Sequence, residues 1–356
     1  KIIFENNFLH EKKSKKKNSA ICAILPARNE EKFIGKTLES LINQKIGGLD
    51  IILINDNSSD KTVQLAKKII NKKNFKKFKI LNGKSLPKGW SGKVWALKQG
   101  VDLANKKKYK YFLFLDSDII LKKKLITKVR NFMHQNNLTM VSLMAKLKCE
   151  SFWEKLLIPS FIFFFQKIYP FSEVNNPKSN KAAAAGGFIF CKSNIFEKKN
   201  LYDSIKNKVI DDCNLARLVK QKGNIWLGLT DSVESQRSYK YLSEIWKMIS
   251  RTAFEQLNYS IIKLSFSILG LFILYVSPIL NTLLLDLTKH NFKVFANIIT
   301  LLMMIFAIKP TIIFYKLNLS YCLSLPLSSI MYSMMTISSA FNYFFKNGNI
   351  WKGRKY

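Results

Sequence analysis

The sequence lacks the features of a disulfide framework or a zinc site. Five cysteines are scattered through the 356 residues: Cys22, Cys149, Cys191, Cys213 and Cys322. No C-x-x-C pair occurs, and an odd number of cysteines at such wide spacing fits neither kind of cross-link. We therefore expect the soluble part of the chain to lie in a reducing compartment, the cytoplasm.

Acidic residues are also scarce, with 23 Asp and Glu against 58 Lys and Arg, which gives a formal net charge of +35. Such an excess suits nucleic-acid phosphates. However, almost all of the basic residues are Lys, and no helix-turn-helix, zinc-finger or RNP-like pattern accompanies them. We predict no nucleic-acid partner. Two alternatives remain: a basic surface against anionic lipid head groups, where each cation contributes about 1 kcal/mol, or ordinary solvated helix faces.

Glycine-rich nucleotide signatures are missing as well. Neither G-x-G-x-x-G nor G-x-x-x-x-G-K-[ST] occurs, which argues against a dinucleotide-binding fold and a P-loop ATPase. If a nucleotide binds, a metal ion and basic side chains must hold its phosphates. The chain also begins at Lys1 without a Met, so we expect the basic N-terminal segment 1–18 to be truncated upstream.

Short apolar runs alternate with longer amphipathic ones in residues 19–229. Five runs have the length and near-continuous apolarity of strands buried on both faces of a parallel sheet: AICAIL, DIILIND, FKIL, YFLFLD and MVSLMA. Helical periodicity covers residues 30–44, 60–73, 93–105 and 122–135. Repeated βα units predict an α/β domain over 19–255 with a mostly parallel sheet. Ligands of such sheets bind beyond the carboxyl ends of the strands.

Long apolar stretches follow this domain. Residues 264–287 carry one charge, and residues 294–308 and 321–341 carry none. About 20 apolar residues cross a bilayer, so the first and third stretches qualify, and the second is too short unless it continues past Lys309 and Pro310. We predict a membrane region over 256–345 with two or three transmembrane helices, followed by a basic tail over 346–356. Residues 156–169 are too short to span and form either a buried core helix or an interfacial segment.

Carboxylates follow three of the predicted strands. Glu30 lies shortly after the first strand, Asp56 directly after the second, and Asp116 and Asp118 directly after YFLFL. A single Asp after a strand is usually a helix cap or a turn residue. Asp116 and Asp118 lie one residue apart, and alternate residues of an extended segment point the same way, so both could face one cation. We predict that they bind Mg²⁺ or Mn²⁺, hard ions that bridge protein carboxylates to substrate phosphates.

The order of the motifs resembles that of a known family. LPARNEE, INDNSSD, GKVWALKQG, LDSD and IDDCNLA together are similar to the motif series of the inverting family-2 glycosyltransferases of GT-A fold. Longer runs, among them GWSGKVWALKQG, AAAAGGF, IWLGLT and EIWKMISRTAFEQL, resemble the hopene-associated glycosyltransferases. The similarity extends over essentially the whole chain. It implies a GT-A nucleotide-diphospho-sugar transferase domain followed by C-terminal transmembrane helices.

On the donor side, the resemblance implies a role for five residues. Pro26, Ala27 and Glu30 would line the nucleoside pocket. Asp56 would hydrogen-bond the base, and Lys93 would lie near the donor.

The resemblance also assigns the metal and the acceptor side. Asp118, supported by Asp116, would bind the metal on the diphosphate. Asp212 would be the general base with Asp211 beside it, and the Gly186-Gly187 pair would form the acceptor-side loop. A helix N-cap is the alternative for the two neighbouring acids, and the two roles are compatible.

The sequence departs from the family pattern at three places. Asn55 replaces the first acid of an Asp-Asp pair, and Asp211 replaces the Glu of a Glu-Asp pair. The Q-x-x-R-W signature is absent, because Arg251 is followed by Thr252, and this argues against a polymer-extending synthase. We assign Arg251 to the diphosphate, with an interfacial Arg before a membrane helix as the equal alternative.

These observations predict an inverting, metal-dependent transfer of a sugar from a nucleotide-sugar donor, a UDP-sugar, to a membrane lipid acceptor in hopanoid-type lipid biosynthesis. One alternative is transfer to polyprenyl phosphate, and another is a non-catalytic scaffold of a lipid-biosynthesis complex. The predicted location is the inner (cytoplasmic) membrane, multi-pass, with the catalytic domain facing the cytoplasm.

Overall fold

A computed structural model of the chain describes residues 3–7, 20–284, 291–345, 350–351 and 354–355. These residues belong to two compact units. The first, called the sheet unit below, lies within 1–147 and 169–237, and the second, the helical unit, lies within 148–168 and 238–356. The domain boundaries drawn from the sequence at 18, 255 and 345 stay predictions.

The sheet unit contains an eight-stranded sheet. Its strands are β1 (Ile21–Ala27), β2 (Leu49–Asn55), β3 (Phe78–Asn82), β4 (Tyr111–Leu115), β5 (Ile119–Leu121), β6 (Met140–Lys146), β7 (Phe188–Lys192) and β8 (Ile225–Ser235). Their spatial order is β3-β2-β1-β4-β7-β6-β8-β5. β1 to β4 run parallel, β7 runs antiparallel between β4 and β6, and β8 is parallel to β6 and antiparallel to β5. The prediction of a mostly parallel sheet is confirmed.

Helices follow most of the strands. In chain order they are α1 (Ile34–Ile42), α2 (Thr62–Lys72), α3 (Gly92–Ala104), α4 (Leu125–Gln135), α5 (Phe152–Ile168), α6 (Phe171–Val174), α7 (Asp211–Lys220), α8 (Leu242–Ser250), α9 (Ala253–Gln256), α10 (Ile261–Leu271), α11 (Ser277–Leu284), α12 (Asn291–Phe314) and α13 (Leu325–Phe345). Single 3₁₀ or π turns cover Phe4–Asn7, Ser193–Phe196, Leu201–Ile205, Phe272–Val276 and Leu319–Ser324, and a small ribbon pairs β9 (Ile350–Trp351) with β10 (Arg354–Lys355). The four predicted helices are present as α1 to α4.

Residues 3–7 pack on the sheet unit, although the sequence places them in a basic terminal segment. Phe4 is only 1% exposed, and its ring contacts Phe132 and Trp226. Oε1 of Glu5 accepts hydrogen bonds from the Ser232 hydroxyl and from a main-chain N–H of β8. An apolar ring and a carboxylate hydrogen-bonded through Oε1 therefore anchor this short turn beside β8. The rest of the segment, 8–18, lies outside the described residues.

The helical unit has its own core, in which α5 takes part. Leu157 and Ile158 are fully buried, which favours the core-helix alternative for residues 156–169. The start of α5 is held by side chains on both sides of its first residue: the Glu154 carboxylate accepts the N–H groups of Glu150 and Ser151 at 2.9 Å, and the N–H of Glu154 donates to the Ser151 hydroxyl at 3.2 Å. Such side-chain acceptors replace the bonds that the first turn of a helix cannot make internally.

Two helices of the described chain are long and apolar enough to cross a membrane, Ile261–Leu283 and Phe292–Phe314. The second continues past Lys309 and Pro310, so the longer alternative for that stretch is correct. The third predicted span, 321–341, falls on a 3₁₀ turn and α13, whose Ser, Thr and Asn residues make it more polar. It is not among the helices that meet this test within the described ranges. Most of the tail 346–356 lies outside them.

Candidate active site

Asp116, Ser117 and Asp118 form a tight turn between β4 and β5. The N–H of Ile119 donates to the C=O of Asp116 at 3.2 Å and closes the turn. The Ser117 hydroxyl donates to the C=O of Pro26, near the end of β1, at 2.5 Å and fixes the turn to that strand. The expectation of an extended segment is therefore wrong, since the chain turns between the two acids. As a result the two acids have different neighbours.

Asp116 belongs to a cluster around Lys93, which lies in the first turn of α3. Nζ of Lys93 is 2.8 Å from Oδ1 of Asp116 and 3.8 Å from Oδ2 of Asp211. A Cβ on Gly186 would lie 3.1 Å from the same Nζ and 3.2 Å from Oδ2 of Asp212. One cation thus links the turn after β4 to the acids at the start of α7, and Gly186 leaves the room for this approach.

The two acids Asp211 and Asp212 open helix α7. The helix begins at Asp211 itself with Ile210 as N-cap, so neither acid is the cap that the sequence allowed as an alternative. Oδ2 of Asp212 accepts the main-chain N–H of Gly186 at 2.7 Å, and Oδ1 accepts that of Cys213. A helix N-terminus and these N–H donors favour negative charge at this position. The glycine loop and α7 are thereby joined through the side chain of Asp212.

Burial and charge set the proton affinities of this cluster. Burial raises the pKa of Asp211 to about 7; the ammonium of Lys93 opposes this rise, and the neighbouring carboxylates add to it. Burial likewise raises the pKa of Asp212, against the opposing effects of Lys93 and the main-chain donors. For Lys93 itself burial disfavours the charged form, but Asp116 and Asp211 outweigh burial and raise the pKa. Lys93 therefore stays charged, while Asp211 and Asp212 accept a proton more readily than ordinary carboxylates do.

The residues assigned to the nucleoside lie at the carboxyl ends of β1 and β2. Pro26 and Ala27 end β1, and Glu30 follows in the loop before α1 with 6% exposure. Asp56 directly follows β2 and is 3% exposed, and its main-chain N–H donates to the C=O of Ala27 at 2.8 Å. The Arg28 guanidinium donates to the C=O of Asp56 at 2.8 Å. The ends of two parallel neighbours are thus tied together where ligands of such sheets bind.

Arg237 lies just beyond β8 and was not predicted from the sequence as a site residue. It contacts acids that follow two different strands. Its Nη2 is 2.5 and 2.7 Å from the two carboxylate oxygens of Glu30, and its Nε is 3.1 Å from Oδ2 of Asp118. Composition could have pointed to Arg237, because only six of the 58 basic residues are Arg. Arg251, which the sequence reasoning chose instead, belongs to the helical unit and follows α8. Its assignment to a diphosphate stays a prediction.

The donor set fits a Mg²⁺ or Mn²⁺ ion that is completed by substrate. Such ions are usually held by one or two carboxylates together with substrate phosphates, rather than by a cage of protein ligands. Asp116 and Asp118 supply two carboxylates at the strand-end edge. Within the described ranges no group of three or more His, Cys, Asp or Glu side chains could hold a metal alone. The two carboxylates suit a metal that binds together with its nucleotide.

The fold is similar to that of a solved sugar transferase. Mannosyltransferase PcManGT from Pyrobaculum calidifontis, in complex with GDP-Man and Mn²⁺, matches with a TM-score of 0.52 at 10% identity, over 96% of this chain and 92% of that chain. At this level of identity the match shows the fold alone, an α/β fold of GT-A type.

The family match is more specific. The family described as "Glycosyl transferase family 2" matches residues 22–199, half of the chain, and the chain belongs to this family. It is 44% identical over 64 residues to the 4,4'-diaponeurosporenoate glycosyltransferase of Staphylococcus aureus, which is 17% of each chain. It is 32% identical over 121 residues to an uncharacterized glycosyltransferase of Haemophilus influenzae, 34% of this chain and 44% of that one. The chain thus matches less than half the length of these relatives.

Proposed function

We propose that the chain transfers a sugar from a nucleotide-sugar donor to a membrane lipid acceptor, with inversion at the anomeric carbon and with a divalent metal. The observation that carries the proposal is the cluster of three carboxylates around Lys93. Asp116 and Asp211 lie 2.8 Å and 3.8 Å from its Nζ, and Asp212 is linked to it through the Gly186 loop. Packing alone gives no reason to bury mutually repelling carboxylates around one cation, since each loses hydration.

The donor is proposed to lie over the carboxyl ends of β1, β2 and β4. Pro26, Ala27 and Glu30 would line the nucleoside pocket, Asp56 would accept a hydrogen bond from the base, and Lys93 would face the phosphates. A UDP-sugar is the donor we propose from the family resemblance. PcManGT was solved with GDP-Man, so GDP-sugars are the first competitors to test.

Asp118 and Asp116 would hold the metal, Mg²⁺ or Mn²⁺, together with the diphosphate. When bound, the metal neutralises the charge that develops on the leaving nucleoside diphosphate. Asp116 already lies 2.8 Å from the Lys93 ammonium, so the chain places a second cation on the same side of the site. Mn²⁺ in the PcManGT complex supports this choice of ion.

Asp212 would act as the general base, with Asp211 beside it. The acceptor hydroxyl gives its proton to the Asp212 carboxylate while its oxygen bonds to the anomeric carbon, and the bond from that carbon to the diphosphate breaks. Burial raises the pKa of Asp212, which strengthens it as a base for a hydroxyl. One base and one displacement invert the anomeric configuration.

The acceptor is proposed to be a lipid, of hopanoid type on the family resemblance, with polyprenyl phosphate as the alternative. Two helices long and apolar enough to cross a membrane support an acceptor that resides in a bilayer. The corresponding location is the inner (cytoplasmic) membrane, with the catalytic domain on the cytoplasmic side. Arg251, just ahead of the first of these helices, would serve either the diphosphate or the head-group region.

A comparison of lipid extracts tests the proposal most directly. Cells that express the full chain should contain a lipid heavier by one sugar residue, and mass spectrometry names sugar and acceptor together. Asp212→Asn should abolish this species. Asp102→Asn is the matched control, because Asp102 forms a surface pair with Lys98 on α3, worth about 0.3–0.5 kcal/mol. A new lipid that persists in Asp212→Asn cells would remove Asp212 as the base.

A binding measurement on the purified chain tests the donor and metal separately. Calorimetry with UDP- and GDP-sugars should give binding in the presence of Mn²⁺ or Mg²⁺ that is lost on chelation and in Asp118→Ala. Absence of metal-dependent binding for every common nucleotide sugar would sink the proposal. Full function in cells of both Asp118→Ala and Asp212→Ala would favour the non-catalytic scaffold.

A further inference from the structure

Arg237 holds two buried carboxylates that come from different ends of the sheet edge. Glu30 is 6% and Asp118 is 7% exposed, so both acids have lost most of their hydration. The guanidinium meets both oxygens of Glu30 with Nη2 and one oxygen of Asp118 with Nε, and it lies over the ring of Phe33 at 5.0 Å. Burying a carboxylate without a partner destabilises the fold, so the ion pairs with Arg237 offset the lost hydration of both acids.

Within the described residues, the side-chain carboxylate of Asp118 makes its polar contacts through one oxygen, Oδ2. Oδ2 lies 3.1 Å from Nε of Arg237 and accepts the hydroxyl of Ser235 at 2.8 Å. The hydroxyl is itself oriented, because Oγ of Ser235 accepts the main-chain N–H of Arg237 at 3.2 Å. Ser235 and Arg237 are thus a pair at the end of β8 that fixes the rotation of the Asp118 carboxyl group.

We propose that Arg237, together with Ser235, is a positioning residue for the metal: it engages Oδ2 of Asp118 so that the carboxylate offers Oδ1 alone to the ion. The inference rests on the proposed function, in which Asp118 is the metal ligand. One oxygen per carboxylate suits the octahedral shells of Mg²⁺ and Mn²⁺, whereas Ca²⁺ commonly takes carboxylates through both oxygens. Partners behind a ligating carboxylate orient it in this way at metal sites generally.

The same guanidinium couples this metal ligand to the nucleoside side of the site. Glu30 lies on the loop after β1, and Asp118 lies in the turn before β5. Arg has a rigid planar fork that can meet two carboxylates at once, whereas the compact ammonium of Lys meets them as a single point charge. Lys is by far the more common basic residue of this chain. An Arg whose guanidinium bridges two acids therefore indicates a position where the planar geometry of that group is needed.

Mn²⁺ binding, followed by electron paramagnetic resonance with UDP or GDP present, tests this role apart from turnover. Arg237→Lys keeps the charge, and Ser235→Ala removes only the hydroxyl from Oδ2. We expect Mn²⁺ affinity to fall about 10- to 100-fold in Arg237→Lys and several-fold in Ser235→Ala. Selectivity for Mn²⁺ over Ca²⁺ should fall with it. Arg217→Lys is the matched control, since Arg217 is exposed on α7, and it should bind Mn²⁺ as the unaltered chain does.

Thermal unfolding of each variant separates loss of metal from loss of fold. Unaltered Mn²⁺ affinity in both variants overturns the inference, and so does a loss in Arg237→Lys with no change in Ser235→Ala, because the Ser235 hydroxyl would then play no part in positioning the carboxylate. An unaltered chain that binds no Mn²⁺ with either nucleotide contradicts the proposed metal dependence itself. That result differs from the others because it is seen before any substitution is made.

Discussion

Single residues at the site lower the stability of the folded chain while they serve its chemistry, and Asp211 is an example. It is 7% exposed and lies among two other carboxylates, with Lys93 as the nearby cation at 3.8 Å. Burial of charge is repaid by the Coulomb attraction of a partner only when the geometry is close. Lys93 lies 1.0 Å nearer to Asp116, at 2.8 Å, so Asp211 is the less well compensated of the two.

We predict that Asp211→Asn stabilises the folded chain above neutral pH. The pKa of this carboxyl is about 7 in the folded chain against 3.8 as an ordinary value. Between these values the folded chain binds a proton that the unfolded chain does not, so the free energy of unfolding decreases as the pH rises through this window. Asn carries no such penalty, and Lys93 keeps Asp116 as its closer partner. The unfolding midpoint should rise by about 2–4 °C for each kcal/mol removed.

Thermal unfolding in detergent between pH 4 and pH 9 checks the sign. The difference between Asp211→Asn and the unaltered chain should be largest above pH 7 and should shrink toward pH 4, near the ordinary pKa of 3.8 at which the unfolded chain also begins to hold the proton. Asp211→Glu retains an ionisable group and is the control that should keep the pH dependence. A lower midpoint for Asp211→Asn at pH 8 would show that the ion pair with Lys93 outweighs the burial of the charge.

The sequence predicted the acids of the site but not their partners. Asp56, Asp116 and Asp118 were found because they follow apolar runs, and the order of strands in a sheet brings such positions together. Arg237 was missed because its partner Glu30 lies 207 residues away, and no local spacing records an ion pair of that separation. The turn at Asp116 was missed because the Ser117 hydroxyl that fixes it bonds to Pro26, 91 residues away along the chain.

At the level of elements, apolar runs predicted the strands that are buried on both faces. β1, β2, β4 and β6 correspond to such runs, whereas β3 also follows a predicted run but is partly exposed along its length, so the expectation of burial on both faces was wrong there. The antiparallel β7 between β4 and β6 could not be predicted, since its apolar run has no feature that records direction or neighbours. The long β8 could not be placed either, because it pairs with β6 along one part and β5 along another.

Helix α3 illustrates how a motif glycine serves packing rather than chemistry. Gly100 ends the motif GKVWALKQG that begins with the site residues of α3. A Cβ at Gly100 would lie 2.6 Å from Cγ2 of Ile24 and 2.8 Å from Cδ1 of Ile54, on the two strands beneath. Both isoleucines are fully buried and are stiff at χ1, so they cannot easily give way. The glycine lets α3 approach the sheet and thereby sets the position of Lys93.

We predict that Gly100→Ala destabilises the chain, although Ala is the better helix former. Overpacking a core costs typically about 1–3 kcal/mol, which exceeds the gain of up to about 1 kcal/mol in helix propensity. Gly35→Ala on α1 is the matched control, because its Cβ would lie 3.6 Å from Ile69, an ordinary contact. That variant should be neutral or more stable. Thermal unfolding of the pair measures both signs, and an unchanged midpoint in Gly100→Ala would contradict the packing role.

For the whole molecule, the positive charge and the exposed apolar helices both favour a membrane as partner, the first through electrostatic attraction and the second through burial of apolar surface. Lysines are spread through the chain at a net charge of +35, and such charges act on a membrane surface only within a Debye length, about 3 Å at 1 M salt. Apolar helices act through burial, which salt does not screen. Only 6% of the first candidate span and 28% of the second are buried within the chain. Exposed apolar area of this extent marks an interaction surface.

We predict that the chain stays with the membrane fraction in 1 M NaCl and in carbonate at pH 11. High salt screens the lysines, and pH 11 lies above the ordinary pKa of Lys, so an electrostatically bound protein should be released by both washes. A chain held by its apolar helices should stay in the pellet. Release by salt alone would favour the basic surface binder over an integral membrane protein.

Two substitutions on α10 make that test specific to one helix. Phe266 is 70% and Leu269 is 53% exposed, so neither contributes much to packing within the chain. A charge at the centre of a hydrocarbon-embedded helix costs about 2.5–3.5 kcal/mol on insertion scales. Phe266→Asp with Leu269→Asp should therefore move the chain out of the carbonate pellet while the Mn²⁺-dependent binding of nucleotide persists. If this double variant stays in the pellet, α10 alone does not anchor the chain, and α12 becomes the candidate anchor.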